Sequence, residues 1–298
     1  MLSALMRSPR AAYLALALAS FLYGATFVVV KEAITILPPF GFVGWRFALG
    51  ALVMVAIAPP RGRRLWREGS IAGSLLFAGY ALQTIGLETT SASNSGLITG
   101  LYVVLTPLTA AVVGKYSPRP SVVAGAALAF GGFAALSLQD GLSLAAGDLL
   151  TVGCAFAYAG HIVYLSRIAH RHRVIPLTAV QLVATAVLGL GFSAAFEGFP
   201  LPTGEVWPAL LLTGLAVSAG AFFLQTWSQT VIGPSRTAIV LALEPAFAAA
   251  SAAVFLGERL TARGWAGAAF ILVGIYLVLA TAGDEDELPA AEAITPAH

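Results

Sequence analysis

The sequence predicts an all-α integral membrane protein: ten transmembrane helices, built as two inverted five-helix repeats around a central cavity. Three observations lead there. Apolar runs of roughly 20 residues, each long enough to cross a bilayer as a helix, recur along the whole chain. Charged residues make up 10% of the 298, against about 25% in an ordinary soluble domain. The basic residues gather in alternate loops, and the two halves repeat each other at nearly constant offsets.

The spans fall at about 11–30, 40–58, 70–87, 93–113, 121–138, 148–166, 176–196, 206–227, 236–256 and 263–282. The first follows Arg7 and Arg10 and outruns the 7–15 apolar residues of a signal-peptide core, so it reads as an uncleaved span. The second opens after "LPP" and closes at the charged loop "PPRGRRLWREG", which leads into the third. The fourth follows the hydroxyl-rich "TSASNS", and "YSPRP" separates it from the fifth. The sixth carries Cys154, the single cysteine, which rules out an internal disulfide and reads as a small buried thiol. "RIAHRHRVIP" leads into the seventh, "GFPLPTGE" into the eighth, "GPSR" into the ninth and "LGERLTARG" into the tenth. The end, "DEDELPAAEAITPAH", is acidic and aperiodic, the composition of a disordered tail. The expected divisions are thus a short N-terminus at 1–10, a first repeat at 11–138, a second at 139–282 and the tail at 283–298.

An even number of spans puts both termini on one side. Placing them in the cytoplasm puts Arg7, Arg10, Arg61, Arg63, Arg64, Arg67, Lys115, Arg119, Arg167, Arg171, Arg173 and Arg236 inside, 12 of the 16 basic residues. Lys31, Arg259 and Arg263 remain outside and Arg46 lies within a span. The positive-inside rule therefore predicts cytoplasmic termini.

The repeat is visible in particular residues. Gln83 and Thr84 in "YALQT" match Gln225 and Thr226 in "FFLQT" at an offset of 142, as Gly125 and Gly132 match Gly267 and Gly274. Tyr23 and Arg46 find Tyr158 and Gln181 at an offset of 135, and Pro107 finds Pro245 at 138. A repeat unit of five spans is odd, so the second copy crosses the membrane upside down. Inverted repeats are a design of secondary transporters, whose sites lie near the midplane where the repeats meet.

At these residues the chain resembles the drug/metabolite transporter superfamily, in particular its bacterial exporters built from two EamA-type domains. The resemblance rests on "SFLYGATFVVVK", "WRFALGAL" and "TSASNSGLITGLYVVLTPL" in the first half. In the second half it rests on "LALEPAFAAASAAVFLGERLTARGWAGAAFILVGIYLV", and it extends over about residues 11 to 282. It implies a ten-helix inner-membrane exporter of amino acids, other metabolites or drugs. The first repeat departs from the pattern: it reads "GKYSPRP" where the second keeps "LGERL", which leaves Glu258 as a local helix-end residue.

Polar groups within spans are costly against lipid and so turn toward the bundle interior. Tyr80, Gln83 and Thr84 sit at i, i+3 and i+4, as do Phe222, Gln225 and Thr226 in the other half. Both faces are expected to line the cavity, with interhelical hydrogen bonding as the alternative. Tyr102 lies between Thr99 and Thr106 on one face and suits the wall of a mostly apolar pocket. Tyr158 and His161 lie a turn apart, and the imidazole is open to proton handling or to a neutral hydrogen bond. Arg46 either meets a substrate carboxylate or ties to loop carbonyls. The glycines spaced by seven in the fifth and tenth spans form a small-residue seam, for bracing the bundle or for dimerisation.

Pro245 removes one N–H and leaves the Leu241 carbonyl without its helical partner, so paired bends are expected at Pro107 and Pro245. Glu244 precedes one proline and Thr106 the other, so the shared architecture does not demand a carboxylate. Glu244, Arg46, Pro107 and Pro245 are thus candidates for coupling or gating. No nucleotide loop, nucleophile elbow, metal-binding spacing or paired-carboxylate arrangement occurs, so no enzyme activity, cofactor or metal is expected. A net charge of +2 gives no reason to expect a nucleic-acid partner. The expected partners are the lipid bilayer and a small solute, foremost a neutral or aromatic amino acid, bound by a monomer or weak dimer. Other metabolites or drugs, a passive channel, or an intramembrane lipid enzyme are the alternatives.

Overall fold

The computed structural model of the protein describes residues 8–137 and 145–281. The expected tail at 283–298 lies outside them. Ten helical spans cross the described residues: α1 Pro9–Ala33, α2 Pro39–Ile57, α3 Arg63–Thr89, α4 Ala92–Gly114 and α5 Pro120–Ser137 in the first half. In the second half they are α6 Ala146–Arg171, α7 Val174–Phe196, α8 Trp207–Ser228 and α9 Arg236–Phe255, with α10 Ala262–Thr281. Nine of these are long and apolar enough to span a membrane, and α10 adds the apolar stretch Ala262–Val278. Among the described residues no strand occurs. The molecule is an all-helical integral membrane fold.

Local chemistry explains the starts. Ser8 caps α1, its Oγ accepting from the Ala11 N–H, and Pro9 follows at the first helical position, where its missing N–H is harmless. Ser91 caps α4 by accepting from the Asn94 N–H at 3.0 Å. α3 begins seven residues before the expected 70. Its extra turns are anchored by the second half: Leu65 clusters with Leu165, Ile168 and Leu177, and Glu68 bonds to His172 in the loop after α6.

Equivalent helices of the two halves pair antiparallel. Gly41 of α2 faces Ser193 of α7, while Gly44 faces Leu190. Gly96 of α4 faces Ala248 of α9, while Gly100 faces Pro245. Gly125 of α5 meets Gly274 of α10, and Gly132 meets Gly267. In each pair rising numbers meet falling ones, the geometry that an inverted duplication requires. The remaining packing respects the same exchange of halves: α3 with α6 mirrors α8 with α1, α3 with α7 mirrors α8 with α2, and α4 with α6 mirrors α9 with α1.

The α5–α10 seam is tight. A Cβ on Gly132 would stand 2.6 Å from the Gly267 carbonyl oxygen, and one on Gly274 2.5 Å from that of Gly125. These glycines let two backbones of the same chain touch, so the seam braces the bundle from within.

Four helices are irregular along their length. α1 is interrupted at Thr26, α4 at Gly100–Leu101 and α9 at Ala242–Leu243, while α8 is π-helical over Leu212–Ala221. The expected bend at Pro245 is present, since the interruption lies between Leu241 and the proline. The expected bend at Pro107 is displaced. Pro107 lies inside a continuous helix, and α4 breaks seven residues earlier, at Gly100, against which Pro245 of the other half is packed. One proline thus accompanies both breaks, its own and its neighbour's.

Candidate functional site

The breaks free backbone and side-chain groups at the centre of the bundle. Pro245 leaves the Leu241 carbonyl without an α-helical partner, and the fold supplies two hydroxyls instead: Tyr102 Oη at 2.9 Å and Ser20 Oγ at 3.3 Å. Tyr102 Oη also lies 3.1 Å from Glu244 Oε2. A phenol has one proton, so both Tyr102 contacts are made at once only when Glu244 carries a proton and donates it. When Glu244 is ionised, Tyr102 donates to the carboxylate and Ser20 alone serves Leu241.

Around this group lies a small cavity. Tyr23, Tyr80, Tyr102, Tyr158 and Phe222 form its aromatic walls, Leu76, Ile162 and Leu241 its aliphatic ones, and His161, Gln225 and Glu244 its polar ones. The rings brace one another edge to face, with Tyr80 and Tyr158 centroids 5.5 Å apart and Tyr80 and Phe222 5.9 Å apart. A second, smaller lobe shares Tyr23, Tyr80 and Glu244 with the first and adds Arg46, Gln83 and Thr26. Glu244 therefore stands at the junction of two lobes, one aromatic and one holding a cation.

The two glutamines play matching parts. Tyr23 Oη donates to Gln225 Oε1 at 2.8 Å, and Tyr158 Oη reaches Gln83 Oε1 at 3.5 Å. Tyr23 and Tyr158 are repeat mates, and so are Gln225 and Gln83, so the same bond joins the halves twice. Each glutamine is at once a wall of the cavity and a link between helices. Gln83 continues to Thr99 Oγ1 at 3.1 Å and Gln225 to Gln229 Oε1 at 3.4 Å.

His161 Nε2 lies 2.8 Å from Gln181 Oε1. The Gln181 amide donates to the Leu177 carbonyl and toward Thr226 Oγ1, so its oxygen accepts and His161 carries its proton on Nε2. Among the described residues Arg46 ties to no loop carbonyl, so that one of its two expected roles is not found. Its Nε donates to Ser218 Oγ at 3.4 Å, and its guanidinium lies 4.8 Å from the Tyr80 ring centroid and 5.3 Å from that of Phe47. Its Nη2 is buried without a hydrogen-bond partner.

Six of the expected residues thus surround the aromatic lobe: Tyr80, Tyr102, Tyr158, His161, Gln225 and Glu244. Arg46 and Gln83 border the second. Thr84 and Thr226 border neither lobe; Thr226 meets Gln181, and Thr84 Oγ1 is buried with no partner. Pro107 and Pro245 border neither lobe. Tyr23 was noticed only as the repeat mate of Tyr158, yet it borders both lobes. Glu258 is no local helix-end residue: its two carboxylate oxygens accept from the Ala92 and Ser93 N–H groups at 2.9 and 2.8 Å, capping α4 from the far half. Glu197 does the same for α2, accepting from Phe40 and Gly41 at 2.8 Å each. Among the described residues no cluster of metal-ligating side chains occurs.

The EamA-like transporter family matches this chain twice, over residues 10–138 and 145–280. A relative from Archaeoglobus fulgidus, named an uncharacterized transporter, is 33% identical over 268 residues, covering 89% of this chain and 84% of its own. The uncharacterized transporter YvbV of Bacillus subtilis is 28% identical over 280 residues, with coverages of 89% and 90%. A solved crystal structure superposes with a TM-score of 0.67 over 91% of this chain and 98% of its own, at 22% identity, a likeness of fold.

Proposed function

Because the chain belongs to the EamA-like transporter family, we propose that it is a secondary transporter exporting small metabolites, foremost neutral or aromatic amino acids, by alternating access. The observation that carries this reading is the aromatic cavity lined by residues of both halves, with a few placed polar groups. Tyrosine and phenylalanine rings suit an apolar or aromatic side chain, and the glutamine, histidine and glutamate suit its polar end. We assign transport rather than catalysis, in keeping with relatives named as transporters. The repeats at 11–138 and 139–282 are the units proposed to rock about this cavity. The distribution of arginines supports a bacterial inner-membrane setting with cytoplasmic termini, and a monomer or weak dimer is the proposed assembly.

Liposomes reconstituted with the full chain and loaded with labelled phenylalanine, methionine or threonine test the reading. Saturable release, accelerated by the same unlabelled amino acid on the far side, is the expected result. Release that neither saturates nor shows counterflow would mark a passive channel, and silence with all three would remove the amino-acid assignment. Glu244 within a tyrosine cage favours one second reading, export of lipophilic amines as drugs. Saturable exchange of a lipophilic amine, with no exchange of amino acids, would select it.

A further inference from the structure

Arg46 and Glu244 sit in different halves of the chain and border the same lobe of the cavity. Each is at most 6% exposed. A buried charge normally finds an opposite one, because removing an ion from water is costly, in a protein interior as in a bundle facing lipid. These two do not take each other. Glu244 bonds to Tyr102, and Arg46 bonds to Ser218, rests on aromatic rings and keeps Nη2 without a partner. The fold therefore holds a cation and a carboxylic acid on one small polar lobe and leaves donor capacity open on the cation.

The repeat sharpens the point. The mate of Arg46 is Gln181, occupied with His161 and the Leu177 carbonyl, and the mate of Glu244 is Thr106, whose hydroxyl donates to the Tyr102 carbonyl. In both cases the neutral mate is satisfied within the protein. Charge has been placed where the scaffold needs none.

We propose that Arg46 and Glu244 form a two-pole clamp for a dipolar α-amino acid, Arg46 taking the carboxylate and Glu244 the ammonium. This rests on the amino-acid reading above and adds how the solute is held. Glu244 stands at the junction of the lobes, so the Cα lies there, the carboxylate enters the lobe with Arg46, and the side chain enters the lobe walled by Tyr80, Tyr102, Tyr158 and Phe222. The open Nη2 of Arg46 offers the solute a charge-assisted hydrogen bond. The ammonium donates to the Glu244 carboxylate. A solute lacking one pole forgoes the charge-assisted hydrogen bond at that end.

Competition against labelled L-phenylalanine bound to the full-length protein in lipid nanodiscs reads this directly. Unlabelled phenylalanine is expected to compete at least about tenfold better than 2-phenylethylamine, which lacks the carboxylate, or 3-phenylpropionate, which lacks the amine, since each charged hydrogen bond lost is worth about that factor or more. Arg46→Gln is expected to weaken phenylalanine and 3-phenylpropionate and leave 2-phenylethylamine unchanged. Glu244→Gln is expected to weaken phenylalanine and 2-phenylethylamine and spare 3-phenylpropionate. A one-pole analogue that competes as well as phenylalanine overturns the clamp while the amino-acid reading stands. That comparison uses the unaltered protein, so misfolding of a variant does not enter it. Failure of phenylalanine, methionine and threonine alike to bind or exchange removes the amino-acid reading, and the clamp with it.

Discussion

A tyrosine hydroxyl has one proton to give, and Tyr102 stands before two acceptors, the Leu241 carbonyl and the Glu244 carboxyl group. Tyr102→Phe removes both contacts and is expected to destabilise the protein by about 1–2 kcal/mol. Glu244→Gln keeps a donor beside the phenol and is expected to leave the thermal midpoint in detergent near that of the parent. If Glu244 also carries a proton during transport, its Gln variant loses the pH dependence of exchange; retained exchange with the parent's pH profile would exclude that role. Much of this site was legible, because charged and aromatic residues in apolar runs have few places to go. The duplication exposed Gln83 and Gln225 as a pair, and the same offset that matched Tyr23 with Tyr158 pointed to Tyr23. Thr84 and Thr226 show the limit. Residues at i, i+3 and i+4 spread over about 100° of helix circumference, and between closely packed helices the cavity takes only part of that arc. Spacing alone does not say which part.

Helix ends are where contacts distant in sequence decide the structure. Glu258 and Glu197 each bind two N–H groups at the start of a helix in the opposite half, satisfying donors that have no intrahelical partner. Glu258→Ala is expected to cost about 1–2 kcal/mol and to speed amide hydrogen exchange at residues 92–95 relative to the rest of α4. Unchanged exchange there would show that Ser91 suffices as the cap. The sequence presents Glu258 in a turn signature, which reads as a local feature because nothing in it names a partner 166 residues away. Most span ends were legible to within three residues, since lipid enforces length and apolarity, but α3 starts seven residues early and α6 ends five late because their ends pack beyond the expected spans. The break in α4 was not, because Pro107 offers the nearer cause. Its actual position follows from Gly100 lying under Pro245, a contact between halves that only packing reveals.

At the scale of the whole molecule, polar ties gather at both ends of the bundle. On the arginine-rich face, Glu68 of α3 meets His172 at 2.7 Å and Arg64 at 3.0 Å, with Arg171 at 3.8 Å. On the opposite face, Lys31 of α1 donates to the Leu87 and Thr90 carbonyls, while the Thr90 hydroxyl bonds to Asp148 at the start of α6. Each set joins one half to the other or closes one end of a half. The alternating access proposed above requires one end to loosen while the other holds. Glu68→Gln is therefore expected to weaken the arginine-rich end by about 1 kcal/mol, read as faster hydrogen exchange at residues 63–70 and 168–174 with no change near Thr90 and Asp148. Exchange rising equally at both ends would mean that Glu68 serves general stability instead. The architecture as a whole was the most legible level: five spans repeated once already demand an inverted partner, and the antiparallel glycine contacts of α2 with α7, α4 with α9 and α5 with α10 meet that demand.

The inequality of the repeat mates has a further consequence. Two identical halves around a two-fold axis would show a solute every wall group twice, and a solute on that axis would fit equally well turned end for end. Here the twin tyrosine–glutamine bonds keep that symmetry, whereas arginine opposite glutamine and glutamate opposite threonine abolish it. Fusion of the halves into one chain is what lets them differ. The bundle keeps a symmetrical frame for movement, and its cavity has a head and a foot.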